Sequence, residues 1–219
     1  MARDLSDSFY GRCAGVYDTV ATAPVVGNWR ARCVADLDLS PGDTVVDMGC
    51  GTGGNLPVLR EQVGPEGTVV GVDLVDAMLR RARERIEHNG WENVHAVRAD
   101  ATRPPVAGVD ALTSTFVVGM FANPGEVVES WLGRVRPGGR VTLLSAVRSD
   151  RLLCLPLNLA FRAFTRLTAP GHRLRRRSPT RDLEARWAKS VDALVEGTVD
   201  HTVDRLGLGF VALAGGRVD

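Results

Sequence analysis

The chain has 219 residues, 44% hydrophobic and 24% charged, with a formal net charge of +1. That length and composition exclude a disordered or fibrous protein and leave room for one well-buried core, not two full domains. A charge so near zero exerts no global pull toward nucleic acid or membrane, so any such attraction must come from a local patch.

Four cysteines, Cys13, Cys33, Cys50 and Cys154, are scattered without C-x-x-C spacing or a nearby histidine cluster. Neither a metal site nor a disulfide framework is expected, and a reducing cytosol fits best. Met1-Ala2-Arg3-Asp4 lacks the apolar core of a signal peptide. The longest apolar run, Leu152 to Phe161, is interrupted by Pro156 and Asn158 and falls short of the ~20 residues that span a bilayer. A soluble, cytoplasmic protein is expected.

Residues 1–40 precede the first core strand. Phe9, Tyr10, Cys13, Ala14, Val16 and Tyr17 have mixed helical spacing, and Trp29 to Leu37 reads as a second helix. Such a pair of helices would cap one edge of a sheet. Ser40-Pro41-Gly42-Asp43 then turns into the first strand.

Thr44-Val45-Val46 is β-branched and apolar, the pattern of a buried strand. It runs into Asp47-Met48-Gly49-Cys50-Gly51-Thr52-Gly53-Gly54-Asn55, and Leu56-Pro57-Val58-Leu59-Arg60 opens a helical pattern. Strand, glycine turn and helix place a ligand against the turn and the helix N-terminus. The spacing is Asp47-x-Gly49-x-Gly51-x-Gly53 rather than the dinucleotide G-x-G-x-x-G. A carboxylate at the strand tip would repel a pyrophosphate and suit an ammonium group. A second acid, Asp73, closes the next apolar run, Val69-Val70-Gly71-Val72, 20 residues after Gly53. Near that offset an acid can accept hydrogen bonds from ribose hydroxyls. Ammonium at one end and ribose at the other describe S-adenosylmethionine better than a dinucleotide.

These residues resemble motif I and the following acidic motif of the class I S-adenosylmethionine-dependent methyltransferases, and the chain's motifs come nearest the ubiquinone and menaquinone C-methyltransferase type. The resemblance implies a Rossmann-like α/β fold: a mostly parallel seven-stranded sheet, an antiparallel last strand and helices on both faces. It implies that Asp47, Gly49, Gly51 and Gly53 hold the methionine moiety, with Cys50 as a small filler, and that Asp73 holds the ribose. Asn55, Leu74, Met78, Thr115 and Phe116 join this expected cofactor set. In the lead segment, Phe9-Tyr10-Gly11-Arg12-Cys13-Ala14-Gly15-Val16-Tyr17-Asp18 is similar to the aromatic stretch that folds over the cofactor in small-molecule methyltransferases.

Further along, Gly64-Pro65-Glu66-Gly67 is a turn, and Asp76 to Asn89 reads as a helix capped by Asp76 and closed by Asn89-Gly90. Val94-His95-Ala96-Val97-Arg98 alternates as a third strand and delivers Asp100-Ala101, which the resemblance assigns to adenine. Val109 to Met120 reads as a fourth strand that would bring Phe116 to Met120 near the sulfonium. Asn123-Pro124-Gly125 begins a helix expected to reach Arg136. Pro137-Gly138-Gly139 resembles the family's turn into the fifth strand, Val141 to Leu144.

Residues 149–181 depart from the alternation: leucines and phenylalanines are interspersed with Arg151, Arg162 and Arg166, followed by His172-Arg173-Leu174-Arg175-Arg176-Arg177. One reading is a packed helix and a solvated basic loop. The other is a lid over an apolar acceptor, with Arg173 to Arg177 on an anionic membrane surface. Aromatic residues are not interleaved for base stacking, which disfavours nucleic acid. Leu183 to Leu194 reads as a helix, and Gly197–Leu206 and Phe210–Val218 as two closing strands.

The chain therefore divides as a helical cap (1–40), a cofactor-binding core (41–148), a lid or insertion (149–181) and a C-terminal helix with strands (182–219). The expected activity is methyl transfer to a small, lipophilic acceptor of quinone or lipid type. Alternatives are aminocarboxypropyl transfer, methylation of a polar metabolite, or a non-catalytic partner protein that binds the cofactor. A carbon acceptor would need a base, for which Tyr17, His172 and His201 are the candidates.

Overall fold

The computed structural model describes residues 24–149, 151, 154, 158–159 and 179–219. In chain order these form α1 (Pro24–Ala35), β1 (Thr44–Met48), α2 (Leu56–Val63), β2 (Thr68–Asp73), α3 (Asp76–His88), β3 (Val94–Arg98), β4 (Val109–Thr115), a 3₁₀ turn (Val118–Met120), α4 (Pro124–Leu132), β5 (Val135–Ala146), α5 (Pro179–Glu196), β6 (Thr198–Leu206) and β7 (Val211–Val218).

The strands form one seven-stranded sheet in the order β3-β2-β1-β4-β5-β7-β6. β1 pairs in parallel with both β2 and β4, so the strand order reverses beside the glycine turn that follows β1. This crevice at the carboxyl ends is where open α/β sheets bind ligands. β7 runs antiparallel to both β5 and β6, as the resemblance implies for the last strand.

Alternation along the strands divides the core between the sheet's two faces. Val45, Val69, Val94 and Ala111 pack with Val34, Leu59, Val63 and Ala82 from α1, α2 and α3. Val46, Val72, Leu112 and Leu143 pack with Val128, Trp131, Trp187 and Leu194 from α4 and α5. Neighbouring residues such as Val45 and Val46 thus belong to opposite layers.

Several boundaries differ from the sequence expectation. α1 already includes Pro24, the first described residue, well before Trp29. The helix expected to reach Arg136 ends at Leu132: the Gly133 amide closes it on the Glu129 carbonyl, and Val135 already pairs with Val109. Pro137-Gly138-Gly139 accordingly lies within β5, at a register irregularity against β4, rather than before the strand. Val75, not Asp76, is the N-cap of α3, and its amide donates to Asp73 Oδ1 at 2.9 Å. β4 stops at Thr115 because Phe116 has φ = 63°, a left-handed conformation that leaves the strand.

Tyr17, His172 and Arg173 to Arg177 lie outside the described residues, as does most of the segment expected as a lid. None of the helices among the described residues is long and apolar enough to cross a membrane.

Candidate functional site

The glycine turn folds back onto β2. The amides of Gly49 and Cys50 both donate to the Val72 carbonyl, at 2.7 and 3.0 Å. Gly49 has φ = 74°, and a Cβ there would stand 2.4 Å from a Val117 methyl, so only glycine permits this approach of turn to β4 loop. The Gly51 amide donates to Asp73 Oδ2 at 2.9 Å, which ties the turn to the tip of β2. Both oxygens of Asp73 therefore receive a backbone N–H, and the carboxylate is held rigidly beside the turn.

Below the turn is a buried polar chain. Asn55 Nδ2 donates to Asp47 Oδ1 at 2.9 Å and to Thr115 Oγ1 at 3.1 Å, while Asn55 Oδ1 accepts from Arg30 Nη1 at 2.9 Å. Arg30 Nη1 also donates to Thr115 Oγ1, at 2.5 Å. Arg30 and Asp47 are the two buried charged residues among the described residues, at 5% and 0% exposure. Asn55 joins them, with its carbonyl to the cation and its amide to the carboxylate. Burial pushes the Asp47 carboxyl up to about 6, with Arg30 and Asn55 opposing.

Three polar atoms here are buried without a partner: Asp47 Oδ2, Arg30 Nε and Thr52 Oγ1. Orphaned buried groups are costly and rare, and three around one turn mark a place fitted to a polar ligand. A carboxylate and a guanidinium separated by one amide side chain complement the ammonium and carboxylate of an amino acid. The residues present thus fit the methionine end of S-adenosylmethionine.

The other expected cofactor residues lie at the carboxyl ends of β2, β3 and β4. Asp100 Oδ1 accepts from the amide and hydroxyl of Thr102, at 3.0 and 2.8 Å. The Ala101 carbonyl is fixed by Trp131 Nε1 at 2.7 Å. Leu74 is 37% exposed just past β2, whereas Met78 is buried in the first turn of α3. Cys50 is buried, its Sγ 2.9 Å from where a Cβ on Gly71 would stand, and burial raises its thiol well above the ordinary range; this matches a filler rather than a nucleophile. His201 is exposed on β6, the edge strand, four strand spacings or roughly 19 Å from β1. The fold does not bring it to the glycine turn.

Arg30 was absent from the expected set, although a signal existed. It precedes Cys33, Val34 and Leu37 by three, four and seven residues, which places an arginine on the buried stripe of a helix.

Residues 45–139 match the family described as a methyltransferase domain. The chain is 34% identical over 113 residues to the arsenite methyltransferase of Halobacterium salinarum, covering 51% of this chain and 29% of that one. It is 29% identical over 146 residues to the ubiquinone/menaquinone biosynthesis C-methyltransferase UbiE of Cupriavidus metallidurans, covering 61% and 60%. A crystal structure of a SAM-dependent methyltransferase from Aquifex aeolicus superposes with a TM-score of 0.59 at 19% identity, covering 87% of this chain and 89% of that one. Residues 45–139 thus carry a methyltransferase-domain match, and the fold and glycine turn resemble those of the class I S-adenosylmethionine-dependent methyltransferases. Within that class the chain is similar to relatives of the UbiE type and to others with different acceptors, and it spans 29% and 60% of the two relatives' lengths.

Proposed function

We propose that the protein binds S-adenosylmethionine at the turn after β1 and transfers its methyl group to a small, lipophilic acceptor of quinone or lipid type. The observation that carries the cofactor assignment is the buried chain Arg30–Asn55–Asp47 with its unpartnered Nε and Oδ2. In this reading Asp47 faces the cofactor's ammonium, Arg30 its carboxylate and Asp73 its ribose. Gly49, Gly51 and Gly53 let the backbone approach, and Asp100 with Ala101 meets the adenine. Bound there, the cofactor supplies a methyl already activated by its sulfonium. The protein's part is to fix that methyl in line with the acceptor and to exclude water, so its contribution is mainly orientation.

Support for an apolar acceptor comes from where large apolar side chains are exposed. Leu74, Met120, Leu159 and Leu208 are exposed, and they follow the carboxyl ends of β2, β4, β5 and β6. Val25, 59% exposed, opens α1 on the same edge. Among the described residues, the other two exposed large apolar side chains, Val199 and Val203, are on β6. Apolar side chains exposed along this edge of the sheet suit a lipophilic acceptor, and the arginines at 173–177 would add attraction to anionic lipid, with the protein in the cytoplasm and peripheral to the membrane. The four stretches of the chain then act as one domain.

The test is transfer of label from S-adenosylmethionine, carrying it in the methyl or in the carboxypropyl carbons, to a cell extract split into lipid and aqueous fractions. Methyl label in the lipid fraction is expected. Methyl label in the aqueous fraction indicates a polar acceptor, and carboxypropyl label alone indicates aminocarboxypropyl transfer. Tight cofactor binding without transfer indicates a non-catalytic partner.

A further inference from the structure

Phe116 has φ = 63°, a left-handed conformation that a bulky aromatic residue resists and that is retained only where the surroundings impose it. The preceding residue, Thr115, ends β4 with its hydroxyl on Arg30 Nη1. The Phe116 ring lies under the same guanidinium, with Arg30 Cζ 5.4 Å from the ring centroid. In an extended strand consecutive side chains point to opposite faces, so Thr115 and Phe116 could not both reach one guanidinium. The left-handed turn at Phe116 removes that alternation. Two consecutive residues then grip Arg30, one at its edge and one at its face.

The grip is braced on every side. The Phe116 amide donates to the Leu144 carbonyl at 2.7 Å, and its ring packs against the cluster of Cys33, Leu144, Val211 and Leu213 that also takes Trp29. Arg30 Cζ stands 3.3 Å from where a Cβ on Gly54 would be, so the guanidinium lies directly beneath the glycine turn. With its edge on Asn55 and Thr115 and its face on Phe116, the plate has one orientation, and its unpartnered Nε is buried.

We propose that Phe116 is a positioning residue. Its strained backbone and its ring fix the Arg30 guanidinium in the orientation that receives the cofactor's carboxylate, so Phe116 sets affinity for the amino-acid end of the ligand without touching it. This rests on the reading of the site given above.

The experiment compares two probes by titration calorimetry on the whole chain. S-adenosylhomocysteine carries the amino-acid end, and 5′-methylthioadenosine lacks it. F116L, which keeps apolar bulk and loses the ring, is expected to weaken S-adenosylhomocysteine binding about tenfold while leaving 5′-methylthioadenosine within about twofold. F116Y, which keeps the ring, is expected to match the parent chain for both. Equal losses for the two probes, or no loss for either, would overturn the proposal. If F116L does not melt cooperatively, F116M takes its place under the same criteria. A parent chain that binds neither probe overturns the site reading itself, and one that binds only 5′-methylthioadenosine overturns the assignment of Arg30. Both outcomes differ from a failure confined to Phe116.

Discussion

Asn55 donates to Asp47 Oδ1 at 2.9 Å, and the second oxygen of that fully buried carboxylate has no partner. The group is expensive for the folded chain and useful to a cationic ligand. Burial raises its pKa from 3.8 to about 6. An acid with a raised folded pKa binds its proton more tightly in the fold, so its contribution favours folding below about pH 4 and is lost as pH rises through 6. The span corresponds to about 3 kcal/mol. Affinity for an ammonium runs the other way, since protonation removes the carboxylate's charge. Between pH 7 and 5, S-adenosylhomocysteine affinity should fall while the Asp47 contribution to stability grows. Asp47→Asn should abolish both slopes, as read from calorimetric titrations and urea melts of the two chains across pH. A variant that keeps the parent's slopes would remove Asp47 from the site.

Asp73 holds the turn through the Gly51 and Val75 amides and is the ribose partner in the proposed site. Asp73→Ala removes the acceptor of both the Gly51 and Val75 amides along with the ribose partner. Charge-assisted hydrogen bonds contribute about 1.5–3 kcal/mol, so S-adenosylhomocysteine binding should weaken roughly 10- to 100-fold. Unchanged affinity would place the nucleoside elsewhere.

Gly71 pairs with Asp47 across β1 and β2, and a Cβ added there would sit 2.9 Å from Cys50 Sγ and 3.1 Å from its Cβ. Gly71→Ala should therefore overpack the turn and destabilise the chain by about 1–3 kcal/mol. Adding Cys50→Ala removes the nearer atom and should restore part of the loss. Urea midpoints of the single and double variants decide this, and simple additivity would mean that the two residues do not meet.

Trp131 is fully buried on α4, and its indole N–H satisfies the Ala101 carbonyl. Trp131→Phe leaves that carbonyl buried and unpaired, at a cost of about 1–3 kcal/mol. Because Ala101 adjoins Asp100, the expected adenine residue, 5′-methylthioadenosine affinity should fall together with the urea midpoint. A drop in stability with unchanged affinity would separate Trp131 from the adenine end.

The glycine turn could be read directly from the chain because its cause is local. β-Branched residues form the strand, an acid closes it, and glycines supply conformations that other residues resist. The same holds for Asp73, for β3 and for the last two strands, each marked by its own alternation or spacing. Helix ends were less legible. Gly133 ended α4 before Arg136 because Val135 had a strand partner 26 residues back, at Val109. Phe116 read as one more strand residue, since nothing in a phenylalanine announces a positive φ. Arg30 was visible only as a charge on an apolar stripe, and a helix near a surface can carry such a residue without consequence.

Composition and local pattern alone determined that this chain would build a parallel sheet with a glycine turn flanked by two carboxylates. Strand propensity and turn chemistry act over a few residues and need no knowledge of what lies opposite. Only the tertiary structure decided that Arg30, 25 residues before Asn55 and 85 before Thr115, would be buried against both. Burial and pairing of a charge depend on which elements the sheet order brings together. That order rests on long-range packing, not on any single stretch of the chain.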